Sequence, residues 1–201
     1  MIEISYLTVF TAITVLWVII RAVIALKNRK IDIVHELKLL IFYFYIEMMA
    51  MIVYFPINFT TGQIGTMKFA AERIIPPLLN PIPFIHILDR YPGWLRVLIG
   101  NIVLFIPIGI IWPFCFSRID NILKVTAAGL GFSLFIELTQ LLLYERMTDA
   151  DDLILNTLGT LIGAIIYFSV RAIIRKKRIS KQRETKNNDF TDKENYHASV
   201  D

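Results

Sequence analysis

The sequence predicts an all-α integral membrane protein of about five transmembrane helices, with the N-terminus outside and the C-terminus cytoplasmic. Three observations carry that reading. Of the 201 residues, 56% are hydrophobic and only 19% are charged. The apolar residues gather in runs of about 20, the length of helix that crosses a hydrocarbon core of roughly 30 Å. The basic residues gather between and after those runs.

The first run, 4–26, follows Glu3 without a basic leader and has no small-residue cleavage site before Lys27, Asn28, Arg29 and Lys30. It therefore reads as a retained span and not as a signal peptide. Arg21 lies near its end, where a long side chain snorkels to the surface. The second run, 37–59, carries Glu47 near its middle. A carboxylate at that depth is either a functional group or a neutral, hydrogen-bonded glutamic acid, and the sequence leaves both open. Residues 1–60 thus form two N-terminal spans.

From 61 to 94 the chain turns to Gly, Pro and scattered charge, and reads as an external connecting loop. Within it 67–75 suits a short amphipathic helix, while Pro76, Pro77 and the stretch "NPIPF" at 80–84 stop anything longer. Three runs follow at 95–114, 123–143 and 153–173, within a membrane region spanning 80–174.

Lysine and arginine set the orientation, because the richer side stays cytoplasmic. Lys27, Arg29 and Lys30 follow the first run, Arg118 and Lys124 lie between the third and fourth, and Arg171, Arg175, Lys176, Lys177, Arg178, Lys181, Arg183 and Lys186 close the fifth. The net charge of +4 is concentrated on this side. The opposite side holds Glu3, the long connection and the acidic 144–152 loop. Residues 175–201 read as a basic, disordered tail that contacts membrane lipids and not nucleic acid. Cys115 is the single cysteine, and His35, His86 and His197 are too scattered for a ligand set.

This topology places the intramembrane polar residues at one depth. Asn101 enters with the third span, Glu137 and Gln140 leave with the fourth, and Asp149, Asp152 and Asn156 open the fifth. Residues three or four apart share a helix face. Ser133, Glu137 and Gln140 form one such stripe, and Asp149, Asp152, Asn156, Gly159 and Gly163 another. Asn101, Phe105 and Gly109 form a third. Lipid cannot satisfy polar groups and glycine admits close backbones, so the three stripes are expected to face one another.

Plainer roles account for part of this set. Thr148 or Asp149 suits a helix N-cap, and acids in a first helical turn gain about 0.3–1 kcal/mol each from the dipole. Asn101 and Gln140 suit interhelical hydrogen bonds, and Gly109, Gly159 and Gly163 suit helix packing. Capping leaves Glu137 unexplained, and Arg146 is the nearest cation in sequence to pair with it or with Asp149 and Asp152. Asn101, Glu137, Gln140, Arg146, Asp149, Asp152 and Asn156 are therefore the candidate ligand-binding residues.

The succession "NPIPF", "NIVLFIPIG" at 101–109, "SLFIELTQ" at 133–140 and "RMTDADDLILNTLGTLIGA" at 146–164 resembles the VanZ-like family of small bacterial membrane proteins. The family pattern falls on Pro83, Phe84, Asn101, Phe105, Pro107, Gly109, Glu137, Gln140, Arg146, Asp149, Asp152, Asn156, Gly159 and Gly163, and departs at Thr160, where a second glycine is common. The resemblance implies a multi-pass protein of the bacterial cell membrane linked to glycopeptide resistance, teicoplanin above all. Its implied partners are a lipoglycopeptide or a cell-wall precursor.

Two functions compete. One is a non-enzymatic outer pocket that binds an envelope ligand, with no cofactor. The alternative is an intramembrane enzyme acting on an envelope lipid or cell-wall precursor, in which Glu137, Asp149 and Asp152 work as acid and base or hold a divalent cation such as Mg²⁺. The sequence has no His-rich metal motif, nucleophile motif or P-loop. Arg146 suits bidentate binding of a phosphate or carboxylate. Transport is less suited to five spans without an internal repeat.

Overall fold

A computed structural model describes residues 2–28, 32–58, 61–69, 79–80, 94–143 and 148–198, with the backbone alone at 28, 79–80, 148–149 and 186–198. Its helices are α1 (Tyr6–Asn28), α2 (Ile33–Tyr54), α3 (Trp94–Cys115), α4 (Ile122–Gln140) and α5 (Ala150–Ala198). All five contain a stretch long and apolar enough to cross a membrane. Short strands accompany them: β1 (Ile2–Ile4), β2 (Ile57–Asn58), β3 (Gln63–Ile64), β4 (Met67–Phe69), β5 (Leu79–Asn80) and β6 (Thr148–Asp149).

Local chemistry sets the helix ends. The Asp32 carboxylate accepts from the Val34 and His35 amides, so α2 starts at Ile33, ahead of the apolar run that begins at 37. It also stops at Tyr54 and not at 59, because Phe55 is extended and precedes Pro56, whose ring disfavours helix in the residue before it. Asn121 caps α4 by accepting from the Lys124 amide at 2.9 Å. That helix ends at Gln140, with Leu141 and Leu142 in a turn. Asp151 and Asp152 occupy the first turn of α5, at the positive end of its dipole.

Two expectations change. Residues 67–69 form strand β4 and not a helical turn, because they pair antiparallel with β1 in the register Ile2↔Phe69 and Ile4↔Met67. The basic segment after 174 continues α5 as helix to Ala198 instead of standing as a disordered tail. Arg, Lys, Glu and Gln are good helix formers, and extending an existing helix avoids the cost of nucleation.

The strands lie at one end of the bundle. There β1 leads into α1, β2 leaves α2 and pairs with β3, and β6 leads into α5 and pairs parallel with β5. Phe69 bridges to Leu143, just past α4. Most of the described Arg and Lys residues gather toward the opposite end, around 21–27, 118–124 and 171–183, while Lys68 and Arg96 lie at the stranded end.

The core is built on α3, α4 and α5. Gly109 of α3 and Gly163 of α5 meet backbone to backbone, and a Cβ at either would fall on main-chain atoms of the other helix, Thr160 O and Ala164 N in one case and Ile106 O in the other. Gly159 makes the same approach to Ile102 O. On the other flank of α5, Thr160 fills the space above Gly129 of α4, which has no side chain to obstruct it. Thr160 is thus accommodated by a glycine across the interface.

Helix α2 seals the far side of α3 and α4 through Tyr45, Met49, Phe105, Ile108 and Ile136. Pro107 lies inside α3, and the Tyr45 hydroxyl donates to the Leu104 carbonyl one turn before it. The carbonyl that Pro107 leaves without its ladder donor is that of Val103, so the Tyr45 bond ties α2 to α3 beside the proline and does not replace the lost bond. Helix α1 is peripheral, since none of its described side chains is buried.

Candidate functional site

The sequence-predicted polar residues converge near the stranded end. Ser133, Glu137 and Gln140 of α4 are all buried, at 0%, 3% and 7% exposure, on a helix whose remaining faces carry exposed Leu130, Leu134 and Leu138. The i, i+4, i+7 spacing therefore turns one polar stripe inward while leucine covers the outside. Asp151 and Asn156 of α5 are buried as well, and Asp152 and Asn101 are half-buried.

Their bonds divide the cluster into three contacts. The Asn101 amide of α3 donates to the Asp152 carboxylate of α5. One turn deeper, the Asn156 amide donates to the Ser133 hydroxyl at 2.9 Å, joining α5 to α4. The Gln140 amide donates to the Val53 carbonyl at 3.3 Å, joining α4 to the end of α2. The polar stripe of α5 thus serves two neighbours, with Asp152 and the glycines turned to α3 and Asn156 and Thr160 turned to α4.

Helix α2 is the contributor that helix-face spacing does not reveal. Besides Val53, its Tyr54 hydroxyl shares a 2.6 Å bond with the Thr139 hydroxyl. A tyrosine in the last turn of an apolar helix is the sequence signal, but which neighbour it meets depends on tertiary packing. Asp151 is a second residue that spacing overlooks, because a first-turn acid reads as a cap.

Two features set this cluster apart from ordinary interhelical bonding. Glu137 is buried in the last turn of α4, where the helix dipole disfavours a negative charge, and it is engaged by neighbouring groups. The Asn156 side-chain oxygen is buried and has no hydrogen-bond partner among the described residues, although its amide nitrogen is satisfied. Leaving such an acceptor unpaired costs about 1–3 kcal/mol, which a ligand N–H or O–H would recover.

Arg146, Pro83 and Phe84 lie outside the described residues. Asp149 is placed by its backbone in β6, directly before α5. No group of three His, Cys, Asp or Glu side chains is arranged to hold a metal among the described residues.

Glu47, the remaining intramembrane carboxylate, lies apart from this cluster. It is buried on α2 and accepts from the Thr14 hydroxyl of α1 at 3.4 Å. Thr14 also shares a 2.7 Å bond with the Tyr43 hydroxyl. The group links α1 to α2, and the second Glu47 carboxylate oxygen is buried without a hydrogen-bond partner among the described residues.

A family model described as VanZ/LLP1 matches residues 42–174, more than half of the chain. The match runs from within α2 to the start of the basic segment of α5 and takes in every member of the polar cluster, while α1 lies outside it. No curated protein and no solved structure matches the chain.

Proposed function

The chain belongs to the VanZ/LLP1 family, and we propose that it protects the bacterial cell envelope against glycopeptide antibiotics, teicoplanin above all, through an outward-facing polar pocket. In this reading the protein is a multi-pass component of the cytoplasmic membrane with the stranded end outside and the basic end in the cytoplasm. The positive-inside bias of the loops supports that orientation. Glycopeptides act outside the membrane on cell-wall precursors, the side on which the polar cluster then opens.

The observation that supports the reading is the buried Asn156 side-chain oxygen, which has no hydrogen-bond partner among the described residues while its amide nitrogen bonds the Ser133 hydroxyl. Polar side chains are expensive inside a bilayer, and a buried polar network that is only partly satisfied is costly. Here an acceptor oxygen remains open where a carboxamide of α5 and a hydroxyl of α4 meet, one helical turn from the buried Glu137. Such a site suits a ligand that presents amide or hydroxyl donors beside an apolar body, as a lipoglycopeptide or a lipid-linked wall precursor does.

The test uses Glu137→Gln, Asp152→Asn and Asn156→Ala in cells, with membrane abundance and teicoplanin susceptibility measured together. Each variant is expected to remain at normal abundance and to lose most of the protection conferred by the unmodified protein. A glycopeptide without a lipid tail should show a smaller difference between cells with and without the protein. If all three variants keep full abundance and full protection, the pocket has no part in the function.

A further inference from the structure

At the basic end of the bundle, one face of α5 and Asp120 of the loop between α3 and α4 line an open groove of about 960 Å³. Its lining combines apolar and cationic groups: Phe168 and Ile179 with Arg171, Arg175 and Arg178 along α5, and Asp120 from the loop. The aspartate is already matched, since Lys124 reaches its carboxylate at 2.7 Å. That hydrogen bond and charge, with a further contribution from Arg171, hold the Asp120 carboxyl below the usual carboxylate range. Among the described residues none of the three arginines forms a salt bridge, although Arg171 lies near enough to Asp120 to act on its carboxyl.

The groove begins where the apolar run of α5 ends. A helix rises about 1.5 Å per residue, so Arg171 and Arg175 stand roughly 5 and 10 Å beyond Phe168 along the axis. The headgroup layer on each side of a bilayer is about 5–8 Å thick. These two arginines are therefore level with lipid phosphates, Arg178 can reach back to them, and Phe168 remains at acyl depth. A guanidinium fork matches the paired oxygens of a phosphate.

We propose that this groove binds the phosphate headgroup of an anionic membrane lipid, with an acyl chain lying against Phe168. The site is at the opposite end of the molecule from the polar cluster and does not depend on that cluster's function. It makes the last helix a lipid-reading element as well as a topology anchor.

The full-length protein, reconstituted in phosphatidylcholine vesicles containing trace spin-labelled phosphatidylglycerol or spin-labelled phosphatidylcholine, provides the test. Electron spin resonance measures the motionally restricted fraction of each lipid. The unmodified protein should restrict phosphatidylglycerol severalfold more strongly than phosphatidylcholine. Arg171→Gln with Arg175→Gln should remove most of that preference, leaving phosphatidylglycerol within about twofold of phosphatidylcholine. Lys177→Gln with Lys181→Gln, an equal loss of charge outside the groove, should change it less than about twofold. Arg171→Lys with Arg175→Lys keeps the charge needed for insertion, yet should also reduce the preference by more than about twofold, because an ammonium lacks the fork. The proposal is overturned if phosphatidylglycerol is not preferred, or if both glutamine pairs lose the preference equally. Retention of full preference by the lysine pair, or displacement of the lipid by inorganic phosphate at constant ionic strength, also overturns it.

Discussion

The interface between α3 and α5 and the attachment of α1 to α2 solve the same problem in opposite ways. The first brings backbones together at Gly109, Gly159 and Gly163, where no side chain fits between the helices. The second leaves α1 unburied and holds it by side-chain tips: Thr14 to Tyr43 and Glu47, the Arg21–Glu36 ion pair, and Trp17 against Phe42 and Tyr43. Apolar surface gives no driving force for helix association in lipid, so only close backbone packing or polar contact can hold helices together. The polar cluster sits on the tightly packed side, where its geometry is fixed by main-chain contacts.

Replacing glycine should break the comparison most strongly. Gly163→Ala sets a methyl group against the Ile106 carbonyl and Gly109 Cα. It should destabilise the full chain by about 1–3 kcal/mol in equilibrium unfolding in detergent. Gly163→Val should cost more and lower membrane abundance. If Gly163→Ala unfolds like the unmodified protein, the helices are not held at backbone contact.

A double-mutant cycle sharpens the polar side. Ser133→Ala and Asn156→Leu, singly and together, should reveal a coupling of about 0.6 kcal/mol, with roughly 1.7 as the upper bound for such bonds in membranes. Strict additivity would mean that the 2.9 Å bond between them contributes nothing. At the periphery, Arg21→Gln should cost no more than about 1 kcal/mol, because the ion pair is partly exposed and water screens it. The smallest effect is expected at Gly131 of α4, where an added Cβ would meet nothing within 4 Å. Gly131→Ala should be neutral or stabilise by about 0.4–1 kcal/mol, the reverse of its neighbour Gly129, where a methyl would strike Thr160.

Much of the architecture was legible because lipid imposes one simple rule on a spanning segment: about 20 apolar residues as helix. That rule locates all five helices. It mislocates their ends wherever a local group intervenes, as Asp32 and Pro56 do for α2. The β1–β4 pairing was not legible, since a three-residue strand declares itself only through a partner more than sixty positions away.

In the site, spacing correctly turned Ser133, Glu137 and Gln140 inward as one face. It missed Val53 and Tyr54 because spacing within one helix says nothing about which neighbour supplies the opposing groups. It also treated the polar and glycine positions of α5 as a single stripe. A helix lying between two others divides such a stripe, and Asp152 and Asn156 bond to different partners.

The central claim is that the polar cluster opens to the outside of the cell. Its most direct test is labelling of Thr148→Cys, in a Cys115→Ala background, by a membrane-impermeant maleimide in intact cells. Thr148 lies in β6, directly before the α5 turn that carries Asp152, and Arg178→Cys at the basic end serves as the counterpart. The account predicts that the cysteine at 148 reacts in intact cells and the one at 178 only after permeabilisation. The reverse pattern would place the cluster on the cytoplasmic face and contradict the proposed role.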